Sequence, residues 1–258
     1  MLLTLDIGNT EVTGGLFDGD TLRAHWRMTT TAERTPDEWA IALEAFVARA
    51  GVARTDLRAA CLASVAPAVT QAMRSAVSTL TSRVGVVEPR SPLPITVDVD
   101  EPLAVGADRL VNVLAAADLY PGDAIVIDLG TATTFDCITA DRRFFGGTIM
   151  PGLRTSAEQL VRRAAKLTAT ELLPPERAIG RRTDEQLRGG VLFGTADAID
   201  GMVRRFLAEW PTKETPAVIA TGGLAALIAP LTTTITIVDP DLTLHGLRVA
   251  ARALGLLD

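Results

Sequence analysis

The chain has 258 residues, a net charge of −6 and 48% hydrophobic residues, with a mean hydropathy of +0.26. This is a globular composition long enough for a sizeable core, and its acidity argues against nucleic acid as a partner. Two cysteines, two histidines and two lysines (Lys166 and Lys213) exclude a Cys/His zinc site and a disulfide scaffold, and they leave a lysine-centred phosphate site few candidates.

The N-terminal residues contain neither a charged segment nor a small-residue cleavage site, so we expect no signal peptide. No uncharged apolar run reaches the roughly 18 residues that a membrane span needs. Unpaired cysteines suit a reducing compartment. We therefore expect a cytoplasmic protein with no membrane partner.

Strand and helix signals alternate along the first half of the chain. A β-hairpin over residues 2–19 precedes a helix with a capping box at Thr35-Pro-Asp-Glu38. The pattern then predicts a strand over 59–65, a helix over 71–81, a strand over 84–87 and a helix over 106–119.

The second half repeats this alternation. The pattern predicts a hairpin over 125–141, a loop over 146–152, a helix from Pro151, a long helix from Thr183 as N-cap towards Trp210, strands over 216–220 and 235–238, and a closing helix over 244–254. Such alternation predicts an α/β protein with largely parallel sheets.

An approximate internal repeat underlies both halves. Residues 2–19 and 125–141 each contain an apolar strand that ends in Asp, a Gly two residues later, small hydroxyl residues and a second strand. Two such hairpins indicate a duplicated domain. We place the boundary at the turn-rich segment 120–123, which gives domains of residues 1–120 and 121–258.

Asp6-Ile-Gly-Asn-Thr10 has the composition of a phosphate-binding turn. A strand ending in a carboxylate and followed by Gly leaves backbone N–H groups exposed for phosphate oxygens, and the Asp can hold a metal through water. A plain β-hairpin explains one copy equally well. The second copy at Asp128 and the Gly turn at 221–223 favour a nucleotide cleft between two similar lobes.

Other nucleotide-binding motifs are missing from the sequence. It contains no Gly-x-x-x-x-Gly-Lys-[Ser/Thr] and no Gly-x-Gly-x-x-Gly between a strand and a helix. Loop amides, hydroxyl groups, Arg and Mg²⁺ must therefore bind the phosphates.

Gly106-Ala-Asp-Arg109 lies at a predicted helix N-terminus. Asp108 is ordinary there, whereas a cation is disfavoured at that end. Arg109 makes sense if it reaches an anionic ligand while Asp108 accepts a proton from an alcohol. Gly189, Gly190 and Gly194 in the long helix are tolerable if another helix, such as one from a second subunit, packs close to them.

These motifs resemble those of the type III pantothenate kinases over essentially the whole chain. The matching segments are, in order, Asp6-Ile-Gly-Asn-Thr10, residues 106–112, residues 128–136, residues 146–152, Thr183 and residues 221–223. The resemblance implies duplicated actin-like (ribonuclease H-like) lobes with an interlobe ATP cleft, and a homodimer. It also implies phosphorylation of the 4′-hydroxyl of pantothenate by ATP, the first step of coenzyme A biosynthesis.

The resemblance also implies a role for individual positions. Asp108 is the expected proton acceptor, and Asp128 the expected ligand of K⁺ or NH₄⁺. Asp6 is expected near Mg²⁺. The expected ATP contacts are Asp6, Ile7, Gly8, Asn9, Thr10, Glu11, Val12, Thr13 and Thr131. The expected pantothenate contacts are Gly106, Ala107, Asp108, Arg109 and Thr183.

Two alternatives remain open. One is a kinase of the same fold that acts on another small substrate. The other is a non-catalytic regulator that binds nucleotide or pantothenate. Glu11 favours the regulator, because a carboxylate beside the phosphate turn repels phosphate unless it points away or helps to hold Mg²⁺.

Overall fold

The computed structural model describes residues 1–257. Its strands are β1 (Leu2–Ile7), β2 (Glu11–Asp18), β3 (Thr21–Thr29), β4 (Ala59–Ser64), β5 (Val84–Val86), β6 (Thr96–Val97), β7 (Ala124–Leu129), β8 (Ala132–Ile138), β9 (Arg143–Pro151), β10 (Ala217–Thr221) and β11 (Ile237–Val238). Its α-helices are α1 (Pro36–Arg49), α2 (Pro67–Leu80), α3 (Ala107–Leu119), α4 (Leu153–Arg163), α5 (Thr183–Glu209), α6 (Ala225–Ile228) and α7 (Leu242–Ala253).

The chain forms two units, one of residues 1–119 with 242–257 and the other of Tyr120–Asp241. The first division falls one residue before the predicted boundary. The closing segment differs from the predicted second domain of 121–258, because residues 242–257 belong to the first unit; Asp258 lies outside the described residues.

Packing explains why the closing helix belongs to the first unit. Leu244 and Leu247 of α7 share a buried cluster with residues of β1 and α3. The buried Arg248 also forms ion pairs with Asp20 and Asp118. These contacts depend on residues more than 100 positions away, so local patterns could not reveal them.

Each unit has one mixed sheet, and the strand order is the same in both. The order is β3-β2-β1-β4-β5 in the first unit, and the strands of the second unit follow as β9-β8-β7-β10-β11. In each sheet a three-stranded antiparallel meander adjoins parallel strands. The predicted duplication is confirmed, whereas the expectation of largely parallel sheets is wrong because each hairpin adds antiparallel strands.

The strand β1 is buried on both faces. Leu3, Leu5 and Ile7 pack into the cluster that contains residues of α1 and α2, whereas Leu2 packs with residues of α3 and α7. A strand covered on both faces reads as a continuous apolar run, which is why the hairpin is visible in the sequence. Its first charged residue, Asp6, lies next to the end of the strand.

Local signals place most element boundaries correctly. The capping box at α1 forms as predicted, with Thr35 Oγ1 accepting from the Glu38 N–H at 3.3 Å and Glu38 Oε2 accepting from the Thr35 N–H at 2.7 Å. Helix α2 starts at Pro67, earlier than predicted, since proline fits the first helical turn. No helix among residues 1–257 is long and apolar enough to span a membrane.

The segment 146–152 is not the predicted loop. Residues 146–151 belong to β9, which pairs with β8. A Cβ at Gly147 would lie 1.7 Å from the Phe135 carbonyl oxygen, so this glycine permits a close backbone approach that a larger residue would prevent. Gly147, which suggests a turn in the sequence, is therefore a packing residue of a strand.

Buried Asp200 joins α5 to residues Thr233 and Thr234. Both backbone N–H groups donate to its carboxylate at 2.9–3.1 Å, and the two hydroxyl groups donate at 2.6 and 2.7 Å. Burial acts to raise the pKa of Asp200, but these hydrogen bonds together hold it below its ordinary value of 3.8.

We expect Asp200→Asn to lower the free energy of unfolding by about 2–3 kcal/mol at neutral pH, because the amide has one acceptor oxygen and its NH₂ group faces donors. The pKa of Asp200 is lowered in the folded state, so its contribution is present above the ordinary value and is lost as the pH falls through the folded value. Urea unfolding at neutral pH and at about pH 2.5 measures both effects.

The exposed Asp197 on the same helix provides the control, and Asp197→Asn should change the free energy of unfolding by less than about 0.5 kcal/mol. An Asp200→Asn penalty of the same size at both pH values would contradict the assignment.

Candidate active site

The predicted phosphate turn connects β1 and β2. Asp6 lies opposite Thr13, and Ile7 lies opposite Val12. Ile7 and Val12 are completely buried, so they anchor the hairpin in the core and leave Asn9, Thr10 and Glu11 exposed. The Gly8 N–H donates to the Glu11 carbonyl oxygen at 3.0 Å. The eight predicted residues 6–13 thus form one hairpin with an exposed tip.

Glu11 forms an ion pair with Arg27 of β3. The distance from Arg27 Nε to Glu11 Oε2 is 3.6 Å, and about half of each side chain is exposed. An exposed pair of this kind adds little stability. It does place a positive charge beside the carboxylate, which offsets the repulsion that Glu11 would exert on a phosphate group.

Asp108 lies in the first turn of α3, within the predicted Gly106-Ala107-Asp108-Arg109 segment. Its Oδ1 accepts a hydrogen bond from the Arg109 N–H at 2.8 Å. Burial raises the pKa of Asp108, although the N–H group and the positive charge of Arg109 act in the opposite direction. A Cβ at Gly106 would lie 2.5 Å from Asp108 Oδ1, so glycine leaves room for the carboxylate. A carboxyl group with a raised pKa is a stronger proton acceptor than an ordinary one.

Val65 connects the phosphate turn to the Asp108 segment. Its N–H donates to the Ile7 carbonyl oxygen at 3.0 Å, and its Cγ1 lies 3.5 Å from the position of a Cβ at Gly106. Val65 follows β4, which runs parallel to β1 with Ser64 opposite Ile7. The carboxyl ends of two parallel strands and the start of α3 therefore meet in the first unit, as in the ligand sites of many α/β proteins.

The second hairpin has a shorter turn than the first. Asp128 lies opposite Thr134 and Leu129 opposite Thr133, and the Gly130 N–H donates to the Ala132 carbonyl oxygen at 3.0 Å. Thr131 is exposed at its tip. The Thr131 carbonyl oxygen accepts from the Gly152 N–H at 3.2 Å and from Thr155 Oγ1 at 2.7 Å, so the start of α4 holds this turn.

Asp128 lies against the glycine turn that follows β10. A Cβ at Gly222, whose φ is +88°, would lie 2.5 Å from Asp128 Oδ1. Thr221 is the parallel partner of Asp128, so both side chains leave the same face of the sheet. Thr221 Oγ1 is buried and has no hydrogen-bond partner among the described residues. Asp128 and Thr221 thus offer two kinds of oxygen ligand on one sheet face.

Thr183 is the first residue of α5 and is exposed. Arg182 occupies the N-cap position, so the prediction of Thr183 as N-cap is wrong. An ion pair and a hydrogen bond from the backbone organise this helix start. Arg182 Nε lies 3.0 Å from Asp184 Oδ1, and the Arg181 N–H donates to Glu185 Oε2 at 2.8 Å.

The two cysteines of the chain are not part of the predicted site. Cys61 and Cys137 are buried, and burial raises the pKa of the Cys61 thiol to about 12. Residues 1–257 contain no cluster of three or more His, Cys, Asp or Glu side chains that could hold a metal ion.

A cavity of about 450 Å³ lies between β3 and α1, and Arg27 and Phe46 are among its lining residues. No predicted site residue lines this cavity.

Four residues near the predicted site escape sequence reasoning. They are Arg27, Thr30, Val65 and Thr221. Thr221 lies in the glycine motif of residues 221–223, so the sequence does point to this position. It does not reveal that the Thr221 hydroxyl group is buried without a hydrogen-bond partner among the described residues. Arg27 contacts Glu11, Thr30 donates a hydrogen bond to the Gly8 carbonyl oxygen, and Val65 donates one to the Ile7 carbonyl oxygen. Each lies 10 or more residues from its partner in the sequence, in or next to a strand whose pairing brings it there.

Two comparisons relate this chain to known proteins. A family model described as type III pantothenate kinase matches residues 2–205. A type III pantothenate kinase of Thermomicrobium roseum is 44% identical over 255 residues, which cover 97% of this chain and 96% of the relative. The chain belongs to the type III pantothenate kinase family.

Further comparisons agree with the family assignment and the fold. The type III pantothenate kinase of Roseiflexus sp. is 43% identical over 251 residues, 96% of this chain and 97% of that protein. The solved activator of 2-hydroxyisocaproyl-CoA dehydratase from Clostridium difficile, with bound ADPNP, aligns with a TM-score of 0.58. That alignment covers 98% of this chain and 94% of the other at 13% identity, so it shows the shared actin-like fold.

The contact between Gly222 and Asp128 can be tested with two matched glycine substitutions. Both Gly222 and Gly122 have a positive φ, but only Gly222 has a close neighbour, because no atom lies within 4 Å of a Cβ at Gly122. We expect Gly122→Ala to cost about 1–2 kcal/mol of unfolding free energy from backbone strain. Gly222→Ala should cost at least about 1 kcal/mol more, because it also displaces Asp128 or Leu129. The measurement is chemical denaturation of both variants. Equal losses of unfolding free energy in Gly122→Ala and Gly222→Ala would show that Asp128 moves away from the new methyl group without an energetic cost.

Proposed function

We propose that this chain transfers the γ-phosphoryl group of ATP to the 4′-hydroxyl of pantothenate, the first step of coenzyme A biosynthesis. The observation that carries the proposal is Asp108, a partly buried carboxyl group at the start of α3, which accepts a hydrogen bond from the Arg109 N–H and whose pKa is raised by burial. Val65 ties this segment to the phosphate turn within the same unit. Membership in the type III pantothenate kinase family supports the choice of substrate.

Asp108 would accept the proton of the pantothenate hydroxyl group. The hydroxyl oxygen forms a bond to the γ-phosphorus atom, the bond from that atom to the β,γ-bridging oxygen breaks, and ADP leaves. Arg109 would hold the carboxylate of pantothenate. Phosphoryl transfer needs mostly positioning and charge stabilisation, so one proton acceptor and one cation suffice on the acceptor side.

Residues 6–13 would bind the phosphate groups of ATP through the exposed hairpin tip, and Thr131 would contact ATP from its own turn. Asp6 fits Mg²⁺, because one carboxylate together with waters and substrate phosphates is a common coordination for this ion. When bound, Mg²⁺ would neutralise charge on the phosphate oxygens. Lysine side chains often bind phosphate groups, but this chain has only two of them. Backbone N–H groups and Arg side chains would bind the phosphates instead.

Asp128 fits a monovalent cation such as K⁺ or NH₄⁺. Its carboxylate and the orphaned, buried Thr221 hydroxyl group leave the same face of the sheet. An oxygen atom without a hydrogen-bond partner in a buried site is a suitable ligand for a cation. The ion, when bound, would balance the charge of Asp128.

The protein would act as a cytoplasmic homodimer, with Thr183 contacting pantothenate. Two buried thiol groups agree with a reducing compartment. Gly190 and Gly194 of α5 are exposed, and apart from their chain neighbours and the backbone of α5 itself, no described atom lies within 4 Å of a Cβ at either position. Such positions allow close approach of a partner helix.

The structure weakens the non-catalytic alternative, because Arg27 offsets the Glu11 charge on which it rested. The remaining alternative, a kinase that acts on another small substrate, is tested by identifying the reaction product. The purified protein should form 4′-phosphopantothenate from ATP and pantothenate. ADP release with a sugar or acetate in place of pantothenate would support the other kinase instead.

We expect Asp108→Asn to lower kcat by about 10²–10⁴-fold while ATP binding is retained, because the amide cannot accept the proton. The acid limb of the wild-type kcat/KM profile should lie above the ordinary pKa value of 3.8. Asp37→Asn is the control, since Asp37 is an exposed acidic residue in the first turn of α1. Near-normal turnover of Asp108→Asn in a phosphopantothenate assay would exclude Asp108 as the proton acceptor.

Replacing K⁺ with Na⁺ at constant ionic strength should lower the activity of the wild-type protein several-fold. Asp128→Asn should show low activity that no longer depends on the cation, because its ligand charge is lost. The measurement is the initial rate in KCl, NH₄Cl and NaCl, with Asp197→Asn as the control. An Asp128→Asn variant that keeps the wild-type cation preference would contradict the role of Asp128.

A further inference from the structure

Thr30 is hydrogen-bonded twice to the tip of the first hairpin. Its Oγ1 donates to the Gly8 carbonyl oxygen at 2.7 Å, and its backbone N–H donates to the Thr10 carbonyl oxygen at 3.0 Å. Thr30 directly follows β3 and is partly buried. One residue from outside the hairpin therefore holds two of the peptide groups in its tip.

These two bonds set the direction of the neighbouring N–H groups. A peptide unit is planar and trans, so its carbonyl oxygen and N–H hydrogen point in opposite directions. The Gly8 carbonyl oxygen points towards Thr30, and the N–H of Asn9 in the same peptide unit therefore points away from it. The same holds for the Thr10 carbonyl oxygen and the Glu11 N–H. Thr30 thus orients two N–H groups that a phosphate-binding turn must present to its ligand, that of Asn9 through its hydroxyl group and that of Glu11 through its backbone N–H.

The hydroxyl group of Thr30 has a role that its neighbours do not share. Thr29 lies opposite Glu11 in the strand pairing, and Thr31 Oγ1 donates at 3.5 Å to the Thr29 carbonyl oxygen. Of these three threonines, Thr30 is the one whose hydroxyl group donates to the Gly8 carbonyl oxygen. A turn that lacked this bond would adopt the binding conformation for a smaller fraction of the time, and its apparent affinity would fall by that fraction.

We propose that Thr30 is a positioning residue for the phosphate turn, which keeps residues 8–11 in the conformation that binds the ATP phosphates. The proposal rests on the function proposed above, since it assigns that turn to ATP. Thr30 does not contact the phosphate groups in this role. It acts through the Gly8 and Thr10 carbonyl oxygens.

Three variants separate this role from general stability. Thr30→Val keeps the branched shape and the backbone N–H but loses the hydroxyl donor, whereas Thr30→Ser keeps the donor. Thr21→Val, at the exposed start of the same strand, is the matched control for the change from Thr to Val. The readouts are the Kd of ATP by calorimetry and the KM values of ATP and pantothenate, each with a thermal unfolding midpoint.

Thr30→Val should weaken ATP binding by about three- to tenfold, the effect of losing one neutral hydrogen bond. The KM of pantothenate should stay within twofold. Thr30→Ser and Thr21→Val should bind ATP within twofold of the wild-type protein. If Thr30→Val does not fold, Thr30→Ala, which also lacks the donor, is measured with the same expectations.

An unchanged ATP affinity in the variant without the hydroxyl group would overturn the proposal, and so would equal losses in the Ser and Val variants. Failure of this proposal can be distinguished from failure of the proposed function. If the wild-type protein makes no phosphopantothenate but its ATP affinity still depends on the Thr30 hydroxyl group, the positioning role stands and the proposed reaction is wrong.

Discussion

The burial of one central strand on both faces is the constraint on which each unit depends. In the first unit, β1 packs against α1 and α2 on one face and against α3 and α7 on the other. Charged side chains cannot occupy such a strand without a large desolvation cost, so Asp6 appears only near its end. In the second unit, β7 is likewise buried along its length, and Asp128 lies next to its end. Placement of the candidate carboxylates thus follows from the packing of the core.

Close backbone approaches then shape the surroundings of these carboxylates. Gly106 leaves room for Asp108 Oδ1, and Gly222 leaves room for Asp128 Oδ1. Side chains at these two glycines would occupy the space of the carboxyl groups. Glycines in the motifs therefore serve more than turn geometry. Gly222 allows the Asp128 carboxyl group to lie against the backbone of another segment, and Gly106 leaves space for the Asp108 carboxyl group within its own segment.

Much of the fold and of the candidate site was predictable from the sequence. The two Asp-x-Gly hairpins, the capping box at Thr35 and the Asp108 segment have signals that span fewer than 20 residues. The strand character of residues 146–151 was missed because glycines in a strand resemble a turn unless the pairing with β8 is known. The closing helix was assigned to the second half because its partners, such as Asp20, are distant in sequence.

The sequence by itself determined the duplicated α/β organisation, the carboxylate-ended strands and the motifs of the type III pantothenate kinase family. These features depend on local periodicity and on short motifs, which a single chain displays directly. Only the tertiary structure decided that Arg27 offsets Glu11, that Thr30 holds the phosphate turn and that Val65 joins this turn to Asp108. These contacts arise from strand register and helix packing, which place residues far apart in sequence within a few ångströms of each other.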